Sequence, residues 1–368
     1  MLRLLLALVA LLVALPAAAA PGVWVVKQDR AEVTIFGTIH ALPPGADWLA
    51  PGLEARLKRA DRLVLETVIP ADPMALSRMV AQLGMRPGLP PLAARVSPDA
   101  AARLAPVLRG AGLPPNALDN MESWLAAITI SETSLAAVGI DPKEGVEPQL
   151  MARARRFGVP IVGLETPQEQ LGFLDGLPAA DQRAMLEATL ADTSDVRRET
   201  DKLIALWLDG DIDRIADDFA REARATPTLQ AVLLTNRNRR WADEIVAMLR
   251  RPGRVFLAVG TAHLGGRDGL LAILENRGLT VERLDEADLR AAAVTRGAGR
   301  GKAERSRGGS KAEAGKAKAG KAKAGKDKAS KDKAGKASKS RAKATKPSKA
   351  KAGKSKASKA KPAKKKRR

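Results

Sequence analysis

Val33-Thr34-Ile35-Phe36-Gly37-Thr38-Ile39-His40 and Val255-Phe256-Leu257-Ala258-Val259-Gly260-Thr261-Ala262-His263 are two versions of one unit, a short apolar run followed by Gly-Thr-x-His. They hold the only two histidines among 368 residues. Histidine is the commonest metal ligand and the side chain most easily tuned near neutral pH. Its confinement to matched strand–Gly–x–x–His units 223 residues apart predicts that the two imidazoles meet in one site. The competing reading is two unrelated, satisfied histidines. A glycine three residues before a histidine lets the backbone turn sharply and a ligand approach closely. The carboxyl ends of strands in open α/β sheets are also where sites form.

Outward from these units the pattern is α/β. Val23–Val26 and Ala31–Phe36, separated by Lys27-Gln28-Asp29-Arg30, read as a β-hairpin. A helix with Leu53 and Leu57 on one face follows, then the strand Arg62-Leu63-Val64-Leu65-Glu66, apolar on both faces and ending in a carboxylate. Residues 72–140 are helical in pattern and carry no recognisable chemistry. A second unit pairs a helix at Leu150–Phe157, ended by Gly158, with the strand Pro160–Leu164 and then Glu165. Residues 178–235 read as several helices. The helix from about Arg237 to Leu249 places Trp241, Ile245, Met248 and Leu249 on a core stripe. A helix near 269–276 and a strand at 280–284 close the fold. The expected architecture is a central β-sheet with flanking helices and a largely helical middle region.

The strand-end carboxylate Glu66 lies one β-α-β step after His40. Two imidazoles and this carboxylate make either three metal ligands or two ligands and a general base, leaving a position for a water whose pKa a metal lowers. A helix cap or a salt-bridge acceptor is the structural alternative for Glu66. Glu147, Glu165 and Glu169 are further carboxylates whose roles the sequence leaves open. Arg237 and Asn238 open the helix before the second histidine strand, where an arginine could hold a carboxylate or an oxyanion. The alternative is a solvated charge among Arg237, Arg239 and Arg240. There is no Gly-x-Ser-x-Gly elbow, His-Glu-x-x-His or Walker-type loop, and the absence of cysteine excludes a cysteine nucleophile.

The two ends of the chain differ from its middle. Residues 1–20 open with Arg3, continue through an apolar stretch and end in small alanines, the form of a secretory signal peptide cut near Ala19. A retained membrane anchor is the alternative. Without cysteine, neither lipid attachment at the N-terminus nor disulfides are available, which fits a periplasmic location in a bacterial envelope. From Arg296 to Arg368 the chain carries 30 Lys and Arg against 4 acids, so residues 1–295 are left slightly acidic within the net +22. This Lys/Ala/Gly-rich stretch has no Val, Leu, Ile, Met or aromatic residue and cannot bury a core, so it reads as a disordered basic tail. Its expected partners are polyanions. Behind a signal peptide these are anionic envelope polymers or a membrane surface rather than nucleic acid; a solubilising extension is the bland reading.

Four blocks of the intervening sequence, residues 21–295, resemble the TraB/GumN family, which is related to the Tiki metalloproteases. The first is Phe36–His40 with Trp48 and Ala60–Glu66; the second is Gly158–Thr166 with Gln170. The third is Trp207-Leu208-Asp209-Gly210-Asp211, and the fourth is Arg237-Asn238, Trp241, Ala258–Gly266 and the strand ending at Leu284. The family often has Gly-x-Asp where this chain has Gly145-Val146-Glu147, a longer carboxylate. The resemblance implies an α/β fold whose paired Gly-x-x-His motifs and strand-end glutamate form one site. In the Tiki relatives that is a divalent-metal peptidase site favouring manganese or cobalt.

The leading expectation is an exported, metal-dependent hydrolase acting on a peptide or other small substrate. His40, His263 and Glu66 would serve the metal (manganese or cobalt before zinc), Glu66 would be ligand or base, and Arg237 would stabilise negative charge. The rivals are a haem- or metal-binding envelope module without turnover and a non-catalytic scaffold acting through the tail.

Overall fold

A computed structural model describes residues 21–192, 195–222, 227–285 and 287–289. The signal-peptide and tail readings fall on residues 1–20 and 296–368, outside the described residues. Strands β1 (Val23–Gln28) and β2 (Ala31–Thr38) form the expected hairpin, in register from Val23↔Phe36 to Gln28↔Ala31. Its turn puts Asp29 at φ 50°, a left-handed conformation that a short polar side chain tolerates. Helix α1 (Pro51–Arg59) has proline in its first turn, buries Leu53 and Leu57, and leads into β3 (Arg62–Thr67).

The middle of the chain is helical, as its Ala- and Leu-rich pattern predicts. Helices α2 (Pro73–Gly84), α3 (Pro98–Gly110) and α4 (Ser123–Ala137) precede α5 (Val146–Phe157). Gly158 ends α5 at φ 71°, where L side chains are disfavoured, and β4 (Ile161–Glu165) follows. Then come α6 (Pro167–Asp175), α7 (Ala179–Asp192), α8 (Val196–Leu208) and α9 (Ile212–Glu222). Leu104 and Leu108 of α3, Ile130 of α4, and Leu186 and Leu190 of α7 make a separate apolar cluster in this region.

A short helical run, α10 (Pro227–Gln230), widens into a π-helix at Ala231–Thr235 and continues as α11 (Asn236–Leu249). Strand β5 (Gly253–Gly260), a 3₁₀ turn at Thr261–His263, α12 (Leu270–Asn276) and β6 (Val281–Leu284) complete the order. The six strands form one mixed sheet, β4-β3-β5-β2-β1-β6. Its inner strands β3, β5 and β2 are neighbours and parallel, and β4 extends the parallel set. Alternation along the strands feeds a core on each face. Phe36, Leu63, Leu65 and Phe256 pack with α1, α5 and Trp207, while Val33, Ile35, Val64 and Leu257 pack with Trp241, Ile245, Leu249 and α12. No helix among the described residues is long and apolar enough to cross a membrane.

Trp207 ties α8 to the sheet beside the first histidine unit. Its ring is 1% exposed, tilted against Phe36 and Trp48, and its Nε1–H donates to the Gly37 carbonyl at 2.9 Å. Trp207→Ala is therefore expected to cost about 3–5 kcal/mol in urea unfolding, and Trp207→Phe, which keeps a ring but loses the donor, about 1–2 kcal/mol. An alanine variant within about 1 kcal/mol of the parent would refute this anchoring role.

Candidate functional site

Sheet order brings the expected residues together. Glu66, His263 and His40 stand at or just beyond the carboxyl ends of β3, β5 and β2, three adjacent parallel strands. Strand pairing sets Thr38 against Gly260, and the Thr261 hydroxyl donates to the Thr38 carbonyl at 2.9 Å, lacing one motif to the other. The two motif glycines are close-approach positions, not sharp turns. A Cβ at Gly37 would lie 2.8 Å from the Thr261 hydroxyl and 3.0 Å from Leu264. At Gly260 it would fall 3.1 Å from Glu66 Oε1 and 3.6 Å from both His40 Nε2 and His263 Cδ2. The missing side chain thus marks the point that all three groups surround.

Each imidazole is held by its Nδ1. His40 Nδ1 is 2.8 Å from Glu147 Oε1, which also accepts the Thr38 hydroxyl at 2.6 Å. Glu147 reaches that position because Gly145 packs on the His40 backbone, where a Cβ would sit 2.1 Å from the carbonyl oxygen. The next residue, Val146, donates its N–H to Ile39. The Glu147 carboxylate raises the His40 imidazole above its ordinary value, outweighing desolvation. Solvent reaches 72% of the His40 side chain and screens that attraction.

His263 is buried. Its Nδ1 is 2.6 Å from Asn238 Oδ1 and its Nε2 is 3.2 Å from Arg237 Nη1. A guanidinium can only donate, so Nε2 carries the lone pair and Nδ1 the proton. Burial is the main force lowering the His263 pKa to about 4, aided by the charges of Arg237 and His40 against that of Glu66. For Glu66 burial pulls upward. The positive charges around it and the Gly260 N–H, donated to Oε1 at 2.7 Å, prevail and hold it at about 2. Its Oε2 accepts from Arg237 Nη2 at 2.7 Å and from the Gln170 amide at 3.1 Å.

Arg237 is not a solvated charge. It continues the core stripe of α11, one turn before Trp241 and two before Ile245, and all five of its N–H groups have acceptors. Nε and Nη2 grip Glu165, Nη2 also reaches Glu66, and Nη1 is shared between the Leu233 carbonyl at 3.0 Å and His263 Nε2. Trp241 and Phe173 lie 4.6 and 5.7 Å from its guanidinium carbon. The expected oxyanion role therefore requires one of these bonds to open. Glu165 is the hub of this charge cluster, accepting also from Arg240 Nη2 at 2.7 Å and Trp241 Nε1 at 3.1 Å. Glu169 stands apart: it closes a capping box with Thr166 at the start of α6. A cleft of about 1180 Å³ among α3, α4, α7 and α8 shares no lining residue with the histidine cluster.

The two histidines should titrate on opposite sides of their ordinary value. Glu147→Gln should lower the His40 midpoint and leave His263 near 4, as followed by the two imidazole proton resonances. Since the folded state raises His40, the His40–Glu147 contribution to stability is full below the unfolded value, about 6.5, and fades as pH rises through the folded one. A midpoint unchanged by Glu147→Gln would disprove the pairing.

YbaP of Escherichia coli strain K12, an uncharacterised protein, is 26% identical over 257 residues, covering 69% of this chain and 92% of YbaP. The Shigella flexneri YbaP is 26% identical over the same length. No solved structure gives a significant match. The TraB/PrgY/gumN family model matches residues 22–283, from the first strand to the last and including every residue of the cluster. On that match the chain belongs to the TraB/PrgY/gumN family.

Proposed function

We propose that this protein is an exported, metal-dependent hydrolase that cleaves a peptide or related amide bond. The observation that carries the reading is the convergence of His40, His263 and Glu66 on the space beside Gly260. Both imidazoles have their Nδ1 engaged by Glu147 and Asn238. Orientation of a histidine through one nitrogen, leaving the other for a metal, is the usual support of a metal site.

The donor set suits a small divalent ion, manganese, cobalt or zinc. Among the described residues no three histidine or acidic side chains are already closed up tightly enough to hold one. Arg237 stands between Glu66 Oε2 and His263 Nε2. His40 and His263 would hold the ion through Nε2, and Glu66 through Oε1. When bound, the ion supplies Lewis acidity and lowers the pKa of a coordinated water. Both oxygens of Glu66 already accept hydrogen bonds, from the Gly260 N–H and from Arg237 and Gln170, and this fixed orientation favours ligation over general-base work. Glu147 and Asn238 fix the ring orientations. Buried Arg237 and Glu165 exclude water from the inner side, and exposed His40 lies on the side open to substrate.

The same proposal places the protein in the periplasm, with the basic tail holding it to anionic envelope polymers or a membrane surface. Metal content by mass spectrometry, on full chain carrying no histidine tag, should give about one divalent ion per chain. His40→Ala and His263→Ala should each lose that ion together with peptidase activity. Full activity in His263→Ala would sink the assignment, and a Soret band on haem addition that depends on His40 would favour the binding module. For the tail, adhesion to vesicles rich in anionic lipid should fall steeply with added salt and vanish when residues 296–368 are deleted. Adhesion unchanged by that deletion would remove the tail from the proposal.

A further inference from the structure

The Nη1 group of Arg237 occupies the lone pair that a metal would need. Among the described residues His263 Nε2 has that one partner at hydrogen-bond distance, at 3.2 Å; Glu66 Oε1, at 3.8 Å, lies beyond it. The guanidinium is pinned on its other side. Nε and Nη2 hold Glu165 at 2.7–3.1 Å, and Glu165 is itself held by Arg240 and Trp241. The cation thus cannot leave as a whole without breaking its ion pairs to two buried carboxylates, Glu165 and Glu66. Its Nη1 arm is the less constrained part. Apart from His263, the partner of that arm among the described residues is the Leu233 carbonyl, which belongs to the π-helix Ala231–Thr235. A π-helix holds one residue more per turn than its neighbours can accommodate in α-geometry, and such segments are frequent at functional sites.

We propose that Arg237 is a latch on the metal site: its Nη1–H caps His263 Nε2, a divalent cation loads only by displacing that hydrogen bond, and the donor so released faces the reacting atoms. This rests on the metallohydrolase reading and adds a regulatory step to it. It also reconciles two roles that the contacts otherwise set against each other. In the latched state every N–H of Arg237 is taken by protein acceptors, so it has none for a substrate oxygen. With the latch open, one N–H is free beside His263 Nε2, next to whatever that nitrogen binds. The Leu233 carbonyl makes the π-helix the element whose geometry sets how readily the arm swings.

The latch predicts that apparent metal affinity is reduced by the fraction of chains in which it is open. The test uses the full chain without a tag, its two histidines labelled with ¹⁵N, and Zn²⁺ as the probe. In the metal-free protein His263 Nε2 should resonate as an unprotonated nitrogen accepting a hydrogen bond. Arg237→Lys keeps a cation for Glu165 and Glu66 but lacks the forked arm. It should move both Nε2 resonances at Zn²⁺ concentrations about tenfold to a hundredfold lower than the parent requires. Arg237→Met serves as a second variant: it should melt lower than the parent without metal and recover with Zn²⁺, the ion supplying the missing charge. If the parent binds Zn²⁺ as tightly as both variants, or more tightly, the latch is wrong and the metal reading survives. If Zn²⁺ moves neither histidine in any of the three chains, the latch and the metal reading fall together.

Discussion

The parallel pairing of β2 with β5 is the constraint on which the rest depends. It joins segments more than 200 residues apart, and its register sets Thr38 opposite Gly260 so that both Gly-Thr-x-His units leave the sheet at the same edge. A slip of one residue would turn Ile35 and Leu257 toward the wrong core and separate the imidazoles. Several contacts resist that slip. Gly37 admits the Thr261 hydroxyl and Leu264, Trp207 closes over the Gly37 carbonyl, and β3 joins β5 on its other side to bring Glu66 alongside. The cores on the two faces of the sheet stabilise the fold, and in doing so they hold the three strand ends in place.

Against this rigid frame the polar cluster is costly. Glu66, Glu165, Arg237 and His263 are all buried, and a buried ion pair repays its desolvation only when its hydrogen bonds are complete. Here they are: Arg237 satisfies five N–H groups, and Glu165 receives donors from Arg237, Arg240 and Trp241. An apolar cluster of the same volume would serve stability as well. The polar one adds electrostatics. It keeps Glu66 ionised and His263 neutral, as metal ligation requires, whereas Glu147 favours a protonated His40, whose proton an ion would have to displace.

Much of this was legible in the sequence, and the rest was not for physical reasons. Apolar runs ending in Gly-Thr-x-His identified β2 and β5, Leu63-Val64-Leu65 identified β3, and the i, i+4 stripe of Trp241 and Ile245 identified α11. The meeting of His40 with His263 could be argued only from their matched contexts, because parallel pairing is non-local and leaves no periodic trace. The saturation of Arg237 was out of reach: it requires Glu165 from β4 and the Leu233 carbonyl from a π-helix whose sequence, Ala-Val-Leu-Leu-Thr, reads like any apolar helix. The sequence leaves Glu147 open because its placement depends on Gly145 lying against the His40 carbonyl. Asn238 had a signal, its place beside Arg237 on the core side of α11, yet its partner His263 lies in another element.

The burial of the cluster is uneven, and that gives the site a direction. His40 is open to solvent, whereas Glu66, His263, Arg237 and Glu165 are all buried behind it. A ligand entering from solvent therefore meets His40 first. Such an order suits a site in which the outer histidine can move and the inner one is fixed. Among the described residues the His40 ring is tethered by Glu147, whereas His263 is gripped from both nitrogens and lies against the Trp241 ring at 4.4 Å. Closure around an ion would draw the outer ring inward toward Gly260, where the absent side chain leaves room. The glycine that allows the two motifs to converge is thus also what keeps the centre of the site accessible, and the same Gly-Thr-x-His pattern serves both fold and site.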